Sequence, residues 1–167
     1  VGRILMKQSA STIKRVGLEL GGNAPFIVFD DADVEAAVDG AMASKFRNAG
    51  QTCVCANRIY VQDGIYDAFV DALVAKVSAL KVGEGRESGV NVGPLINAAG
   101  VEKVEDRVAD AISKGAKVVI GGSRHSAGEN YFQPTVLRDV TLDMKVAREE
   151  TFGPVAPLFR FDSEDDV

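Results

Sequence analysis

Apolar residues along this chain recur with the period of helices in some stretches and form short continuous runs in others. Residues 34–46, 65–80 and 101–112 carry them at steps of three and four, which predicts three amphipathic helices. Residues 3–14 read as the remains of another helix. Gly115 follows the third stripe where a glycine C′ residue is expected to end the helix.

Short apolar runs of the kind found in buried strands lie between these helices. They are PFIVF at 25–29, RIYVQ at 58–62, KVVIGG at 117–122, FQPTVL at 132–137 and VAPLFRF at 155–161. The prolines of the last two runs indicate strand starts or edges, because proline cannot donate to a ladder. Strands separated by helices of this length predict an α/β fold with a mainly parallel sheet and helices on both faces.

Composition narrows the class of protein. The 167 residues are 46% hydrophobic and 26% charged, which is ordinary for one globular domain with a sizeable core. The net charge is −5 and the basic residues are dispersed, so nucleic acid is not an expected partner. No apolar run approaches the roughly 18 residues that span a bilayer, and no signal peptide is recognisable, so no membrane is expected either. Because the chain opens on Val1, we expect an excerpt from a longer protein.

The two cysteines, Cys53 and Cys55, are the candidates for chemistry. A structural zinc site needs four ligands, and the chain adds only His125, so no metal is expected. A disulfide between positions i and i+2 needs a suitably bent backbone and closes a very small loop. The remaining alternatives are a nucleophile on a loop and a thiol that packs as a small hydrophobe. Spacing alone leaves these alternatives open.

Three motifs occur in an order that is known from one enzyme family. They are LELGGNAPFIVFDDAD at 18–33, GQTCVC at 50–55 and EETFGPV at 149–155. They resemble the glutamate, cysteine and cofactor-contacting motifs of the aldehyde dehydrogenase superfamily, and VGPLI at 92–96 also fits. The stretches FRNAGQTCVCANRIYVQ and NYFQPTVL are most similar to the succinate-semialdehyde dehydrogenases of that superfamily.

The resemblance implies roles for individual residues. Cys53 would attack the aldehyde carbon and pass through a thiohemiacetal and a thioester, and its own backbone N–H would be one donor to the oxyanion. Glu19 would be the general base for thioester hydrolysis. Arg47 would bind the distal carboxylate of a semialdehyde substrate, which suits the bidentate geometry of a guanidinium. Cys55 would form a reversible disulfide with the nucleophile, as in some related enzymes.

The same resemblance implies a cofactor, which would be NAD or NADP. Gly21 and Gly22 would run beside the nicotinamide, Glu150 would hold the hydroxyls of its ribose, and Phe152 would contact the nicotinamide region. The residues that choose between NAD and NADP, and the family's second oxyanion donor, are expected upstream of Val1.

The domain boundaries implied are a tail of the cofactor-binding domain at 1–18 and a catalytic domain at 19–167, with its C-terminal part and the oligomerisation segment beyond Val167. The expected activity is oxidation of succinic semialdehyde to succinate. The alternatives are a dehydrogenase for another carboxylated semialdehyde, such as glutarate semialdehyde, and a folded non-catalytic fragment. The full-length protein is expected to be a homo-oligomer of the bacterial cytoplasm or the mitochondrial matrix.

Overall fold

One five-stranded sheet organises the computed structural model, which describes residues 1–167. Its strands are β1 (Ala24–Val28), β2 (Ala56–Gln62), β3 (Lys117–Ile120), β4 (Thr135–Arg138) and β5 (Val155–Phe161). Their order in the sheet is β1-β2-β5-β4-β3, so the last strand of the chain lies in the middle. Only β3 and β4 pair antiparallel, and the other pairings are parallel. The predicted mainly parallel sheet is confirmed.

Five α-helices and two short 3₁₀ turns connect the strands. The helices are α1 (Gly2–Ala10), α2 (Val34–Lys45), α3 (Asp63–Ser78), α4 (Ala98–Ser113) and α5 (Lys145–Arg148), and the turns span Arg47–Gly50 and Glu164–Asp166. The three helices predicted from apolar stripes are confirmed to within a few residues. The first helix ends earlier than predicted, at Ala10, because the chain turns there and Ile13 has a left-handed φ of 50°. None of the helices is long and apolar enough to cross a membrane.

Helices cover both faces of the sheet, as predicted. Alternate residues of a strand point to opposite faces, and β5 shows this directly. Ala156 and Leu158 belong to the hydrophobic cluster that contains the buried residues of α2 and α3. Val155 and Phe159 belong to the cluster formed with α4 and α5. The central strand therefore contributes to two separate cores.

Side-chain caps fix the points at which α2 and α4 begin. The Asp33 carboxylate accepts from the Ala36 N–H at 3.0 Å and begins α2. The Asn97 side chain accepts from the Gly100 N–H at 2.9 Å and begins α4. Gly115, with a φ of +105°, ends α4 as the sequence predicts.

One expectation about the prolines is wrong. Pro134 directly precedes β4, as predicted, but Pro157 lies inside the central strand β5. The pairing explains why it is tolerated there. Strand β4 pairs with β5 up to the Leu137–Pro157 pair, and β2 begins to pair at Leu158. The missing N–H therefore falls where β5 passes from one neighbour to the other.

Candidate active site

The segment between α2 and β2, residues 46–55, carries both cysteines and is called the cysteine loop below. Its backbone takes three successive left-handed conformations, with φ of 52° at Asn48, 54° at Ala49 and 72° at Gly50. Such conformations are costly for residues with a side chain, and they concentrate at functional sites. Cys53 is exposed, Cys55 is buried, and both thiols are free.

Gln51 fixes the cysteine loop to the segment that leads into α4. Its side-chain amide donates to the carbonyl of Pro94 at 3.3 Å, and its Oε1 accepts from the Ile96 N–H at 2.9 Å. On the other side, Gly50 lies so close to the carbonyl of Gly153 that an added Cβ would collide with it. The loop is therefore held between two distant parts of the chain.

The EETFG segment forms the facing wall. The Glu150 Oε1 accepts from the Gly22 N–H at 3.4 Å, and its Oε2 lies 2.6 Å from the position that a Cβ on Gly21 would occupy. The neighbouring Phe152 has a left-handed φ of 56° and is 36% exposed. Glu149 forms an ion pair with Arg107 of α4. A side chain at position 21 would thus displace the carboxylate of Glu150.

These segments enclose a cavity of about 440 Å³. Five of the residues predicted from the sequence line it together with five others: Glu19, Gly21, Cys53, Glu150 and Phe152, and also Leu20, Gln51, Ile96, Gly100 and Lys103. The 14–23 stretch that contains Glu19 has no regular secondary structure. Folding therefore brings a carboxylate, a thiol and a second carboxylate into one cleft.

Three residues with predicted roles, Gly22, Arg47 and Cys55, do not line that cavity. Arg47 is exposed on the first 3₁₀ turn and is not among the lining residues. Its neighbour Asn48 lines an adjoining cavity of about 460 Å³, which shares Gln51, Ile96 and Phe152 with the first. Cys55 is buried behind the loop, where its Sγ lies 2.7 Å from the Thr52 hydroxyl oxygen.

Sequence reasoning missed two lysines near the site. Lys103 lines the cavity from α4. Lys45, the last residue of α2, is completely buried and donates from Nζ to the Asn57 Oδ1 at 2.9 Å. Burial lowers the pKa of Lys45 to about 8, and the charges of Cys55 and Glu150 partly offset this effect. The sequence did contain one indication that Lys45 is buried. It lies seven residues after Val38 and four after Ala41, which places it on the same buried face of α2.

Two other observations concern metal binding and a second cavity. No three His, Cys, Asp or Glu side chains lie together in an arrangement that could hold a metal ion. A separate cavity of about 450 Å³ lies beside the C-terminal end of β5, lined among others by Tyr60, Phe159 and Arg160. It contains neither cysteine.

Comparison with known sequences places the chain in a family. The sequence model of the aldehyde dehydrogenase family matches residues 1–167. The chain belongs to this family. The resemblance inferred from its motifs is therefore confirmed. The chain spans about a third of the length of the curated relatives it matches.

Three of these aldehyde dehydrogenases align with the whole chain. They are the 3-sulfolactaldehyde dehydrogenase of Pseudomonas putida (63% identity, 34% of that protein's length), the succinate-semialdehyde dehydrogenase (NADP(+)) GabD of Escherichia coli strain K12 (64%, 35%) and the glutarate-semialdehyde dehydrogenase of Pseudomonas aeruginosa (62%, 35%). The crystal structure of succinate-semialdehyde dehydrogenase from Burkholderia pseudomallei matches with a TM-score of 0.96 at 64% identity, over 99% of this chain and 34% of that one.

Proposed function

We propose that this chain is part of an NAD(P)-dependent aldehyde dehydrogenase that oxidises succinic semialdehyde to succinate. The observation that carries the proposal is the meeting of Cys53, Glu19 and Glu150 in one cavity, although they come from three separate stretches of the chain. Membership of the aldehyde dehydrogenase family supports the reaction class.

In the proposed reaction, Cys53 is the nucleophile. Its thiolate adds to the aldehyde carbon, which forms a C–S bond and moves the π electrons onto the oxygen. The backbone N–H of Cys53 donates to this oxyanion. When the carbonyl re-forms, the aldehyde hydrogen has to leave as hydride, which a bound oxidised nicotinamide would accept, and a thioester on Cys53 remains. The exposed position of the thiol suits its attack on an aldehyde that enters from solvent.

Glu19 is the proposed general base for the second half of the reaction. It takes a proton from water, the water oxygen adds to the thioester carbon, and the C–S bond breaks to release the acid and regenerate the thiolate. A shared cavity with Cys53 supports this role, because a general base must reach its water within hydrogen-bond distance.

The residues present fit a nicotinamide cofactor, which would accept the hydride. The Glu150 carboxylate lies against Gly21 so closely that a Cβ there would fill the space, and a carboxylate can accept hydrogen bonds from two ribose hydroxyls. Phe152 adds an exposed aromatic surface on the same wall. We propose that these residues bind the ribose and nicotinamide of NAD or NADP.

We propose Arg47 as the residue that binds the distal carboxylate of the substrate. Its guanidinium is exposed and stands six residues before Cys53 on the cysteine loop. The names of the three relatives support an aldehyde with an anionic far end, since succinate, glutarate and sulfolactate semialdehydes each carry a carboxylate or a sulfonate. Glutarate semialdehyde is therefore the alternative substrate, because a guanidinium serves both chain lengths.

A non-catalytic role for this chain is the second candidate, and the exposure of α1 favours it. None of the residues of α1 is buried, and Ile4, Leu5 and Met6 are 61%, 42% and 57% exposed. Exposed apolar side chains of this kind favour association with another protein surface. The same observation supports our proposal that residues 1–18 belong to a separate cofactor-binding domain.

Two measurements test the proposed function. Alkylation of Cys53 at neutral pH should be much faster in the folded chain than in the denatured chain, and equal rates would favour the non-catalytic role. With the full-length protein, kcat/KM for succinic semialdehyde should exceed that for glutaric semialdehyde and for 3-sulfolactaldehyde. A higher kcat/KM for either of the other two aldehydes would identify that aldehyde as the substrate instead.

A further inference from the structure

One buried charge behind the candidate active site has no part in the proposed reaction. Lys45 is the only charged residue that the fold buries, and Asn57, which accepts its hydrogen bond, is 2% exposed. An ammonium group has three donors, but this one makes a single hydrogen bond, to a neutral amide oxygen. The positive charge is therefore held in the interior without an adjacent carboxylate to form an ion pair.

Lys45 and Asn57 stand at the two ends of the cysteine loop. The Ala56 N–H donates to the Ser44 hydroxyl at 3.1 Å, and the Cys55 thiol donates to the carbonyl of Lys45 at 3.9 Å. With the Lys45–Asn57 bond, these contacts join the end of α2 to the start of β2 and close the base of the loop. A loop with three left-handed residues needs its ends held, because the surrounding structure has to maintain a strained backbone.

Stability does not account for a charge at this position. The pKa of Lys45 falls because burial penalises the ammonium, so the charged form costs folding free energy. Replacing a buried charged group and its partner by apolar residues of similar volume is often neutral or stabilising. Since Lys45 lies on the apolar stripe of α2, a methionine would fit the pattern of the helix. The charge is thus retained at a cost.

We propose that Lys45 is a positioning residue, whose ammonium holds the base of the cysteine loop against Asn57 and so fixes the place of Cys53. This inference rests on the proposed function. The titratable groups whose charges act on the ammonium are Cys55 of the cysteine loop and Glu150.

The decisive variant is the double substitution Lys45→Met with Asn57→Leu. It removes both partners, so no buried polar group is left unpaired. We expect the Tm to stay the same or rise, while kcat of the full-length enzyme falls by about tenfold or more, because small misplacements of a reacting group are costly. The KM for the aldehyde should change by less than about twofold, since the bulk of its binding surface is untouched.

Two outcomes would overturn the inference. Unchanged kcat with an unchanged Tm would mean that the charge is dispensable, and a parallel fall of kcat and Tm would mean that Lys45 is only structural.

A second pair of variants covers the case in which the double variant does not fold. Asn57→Asp keeps an acceptor for Lys45 and should retain most of kcat, whereas Asn57→Leu should lose it. Equal activity of these two would also contradict the proposal.

Alkylation of Cys53 separates this inference from the proposed function. If the wild-type thiol reacts no faster than in the denatured chain, the proposed function fails. If the wild-type thiol is activated and the double variant is equally activated, only the role of Lys45 fails. We expect an activated wild type and an alkylation rate at least about fivefold lower in the double variant.

Discussion

Glu150 and Gly22 are 128 residues apart in sequence, yet the Gly22 N–H donates to the Glu150 carboxylate at 3.4 Å. This contact joins the LELGG stretch before β1 to the segment after α5. It also leaves Gly21 directly beneath the second carboxylate oxygen. The geometry of the proposed cofactor site therefore depends on the absence of a side chain at position 21.

Gly21→Ala should weaken cofactor binding. The new Cβ would lie 2.6 Å from the Glu150 Oε2, so the carboxylate has to move away from the position proposed for the ribose. We expect the cofactor KM of the full-length protein to rise by about tenfold, as for the loss of a hydrogen bond to a charged group. Gly17→Ala is the matched control, because nothing lies within 4 Å of a Cβ there. Equal cofactor KM values for the two variants would contradict the proposed site.

Glu19→Gln should slow the second half of the reaction. An amide cannot take a proton from water, so thioester hydrolysis should fall by about 10²-fold or more. Rapid-mixing kinetics should then show one burst of reduced cofactor per site, followed by slow turnover. Loss of the burst itself would assign Glu19 to an earlier step.

Arg47→Met should reduce the preference for aldehydes with an anionic end. A hydrogen bond to a charged group contributes about 1.5–3 kcal/mol, so kcat/KM for succinic semialdehyde should fall by about 10- to 150-fold. Propanal, which has no carboxylate, should be oxidised as before. Arg86→Met is a suitable control, because Arg86 is exposed on another loop and pairs with Glu84. An equal loss for both aldehydes would argue against carboxylate binding by Arg47.

Cys55→Ala should abolish reversible inactivation by mild oxidant. Hydroperoxide converts an exposed thiolate to a sulfenic acid, and a neighbouring thiol then displaces hydroxide to form the disulfide. Cys53 is exposed and Cys55 is buried two residues away, so the proposed pair has one accessible and one protected member. Activity and free thiols should be followed before and after reduction. A variant that still loses and regains activity would exclude the switch.

Because of Lys45, the free energy of unfolding should increase with pH. Its pKa is about 8 in the folded chain against 10.5 for an ordinary lysine, so the unfolded chain binds more protons between these values. Stability therefore rises as pH rises through this window, by about 2 kcal/mol between pH 7.5 and 9.5. Urea unfolding at both pH values should show this gain in the wild type and not in Lys45→Met. A gain of the same size in the variant would place its origin elsewhere.

The fold could be predicted because apolar residues recur clearly at steps of three and four in the helices and form short continuous runs in the strands. Helices α2, α3 and α4 bury one face each, and the strands are short apolar runs between them. The position of Pro157 was predicted wrongly because proline is usually found at the edges of sheets. In this sheet β5 pairs with β4 up to Pro157 and with β2 from the next residue onwards. Such a shift depends on the tertiary arrangement, which one sequence does not display.

The candidate site was predictable only in part. The motifs identified Glu19, Cys53 and Glu150, which share a cavity. Their roles stay predictions. Lys45 was missed because a lysine at the end of a helix is usually solvated and interacts with the helix dipole. Its burial follows from the way α2 packs, and no motif indicates it.

The position of β5 determines when this protein can assemble. The pairs β1–β2 and β4–β3 share no hydrogen-bonded neighbour except β5, which comes after the other four strands in the sequence. Until residue 161 is available, the nascent chain holds two unconnected halves of a sheet. Truncation before Val155 would remove the strand that both halves need. Protein synthesis must therefore pass residue 161 before the five-stranded sheet can form.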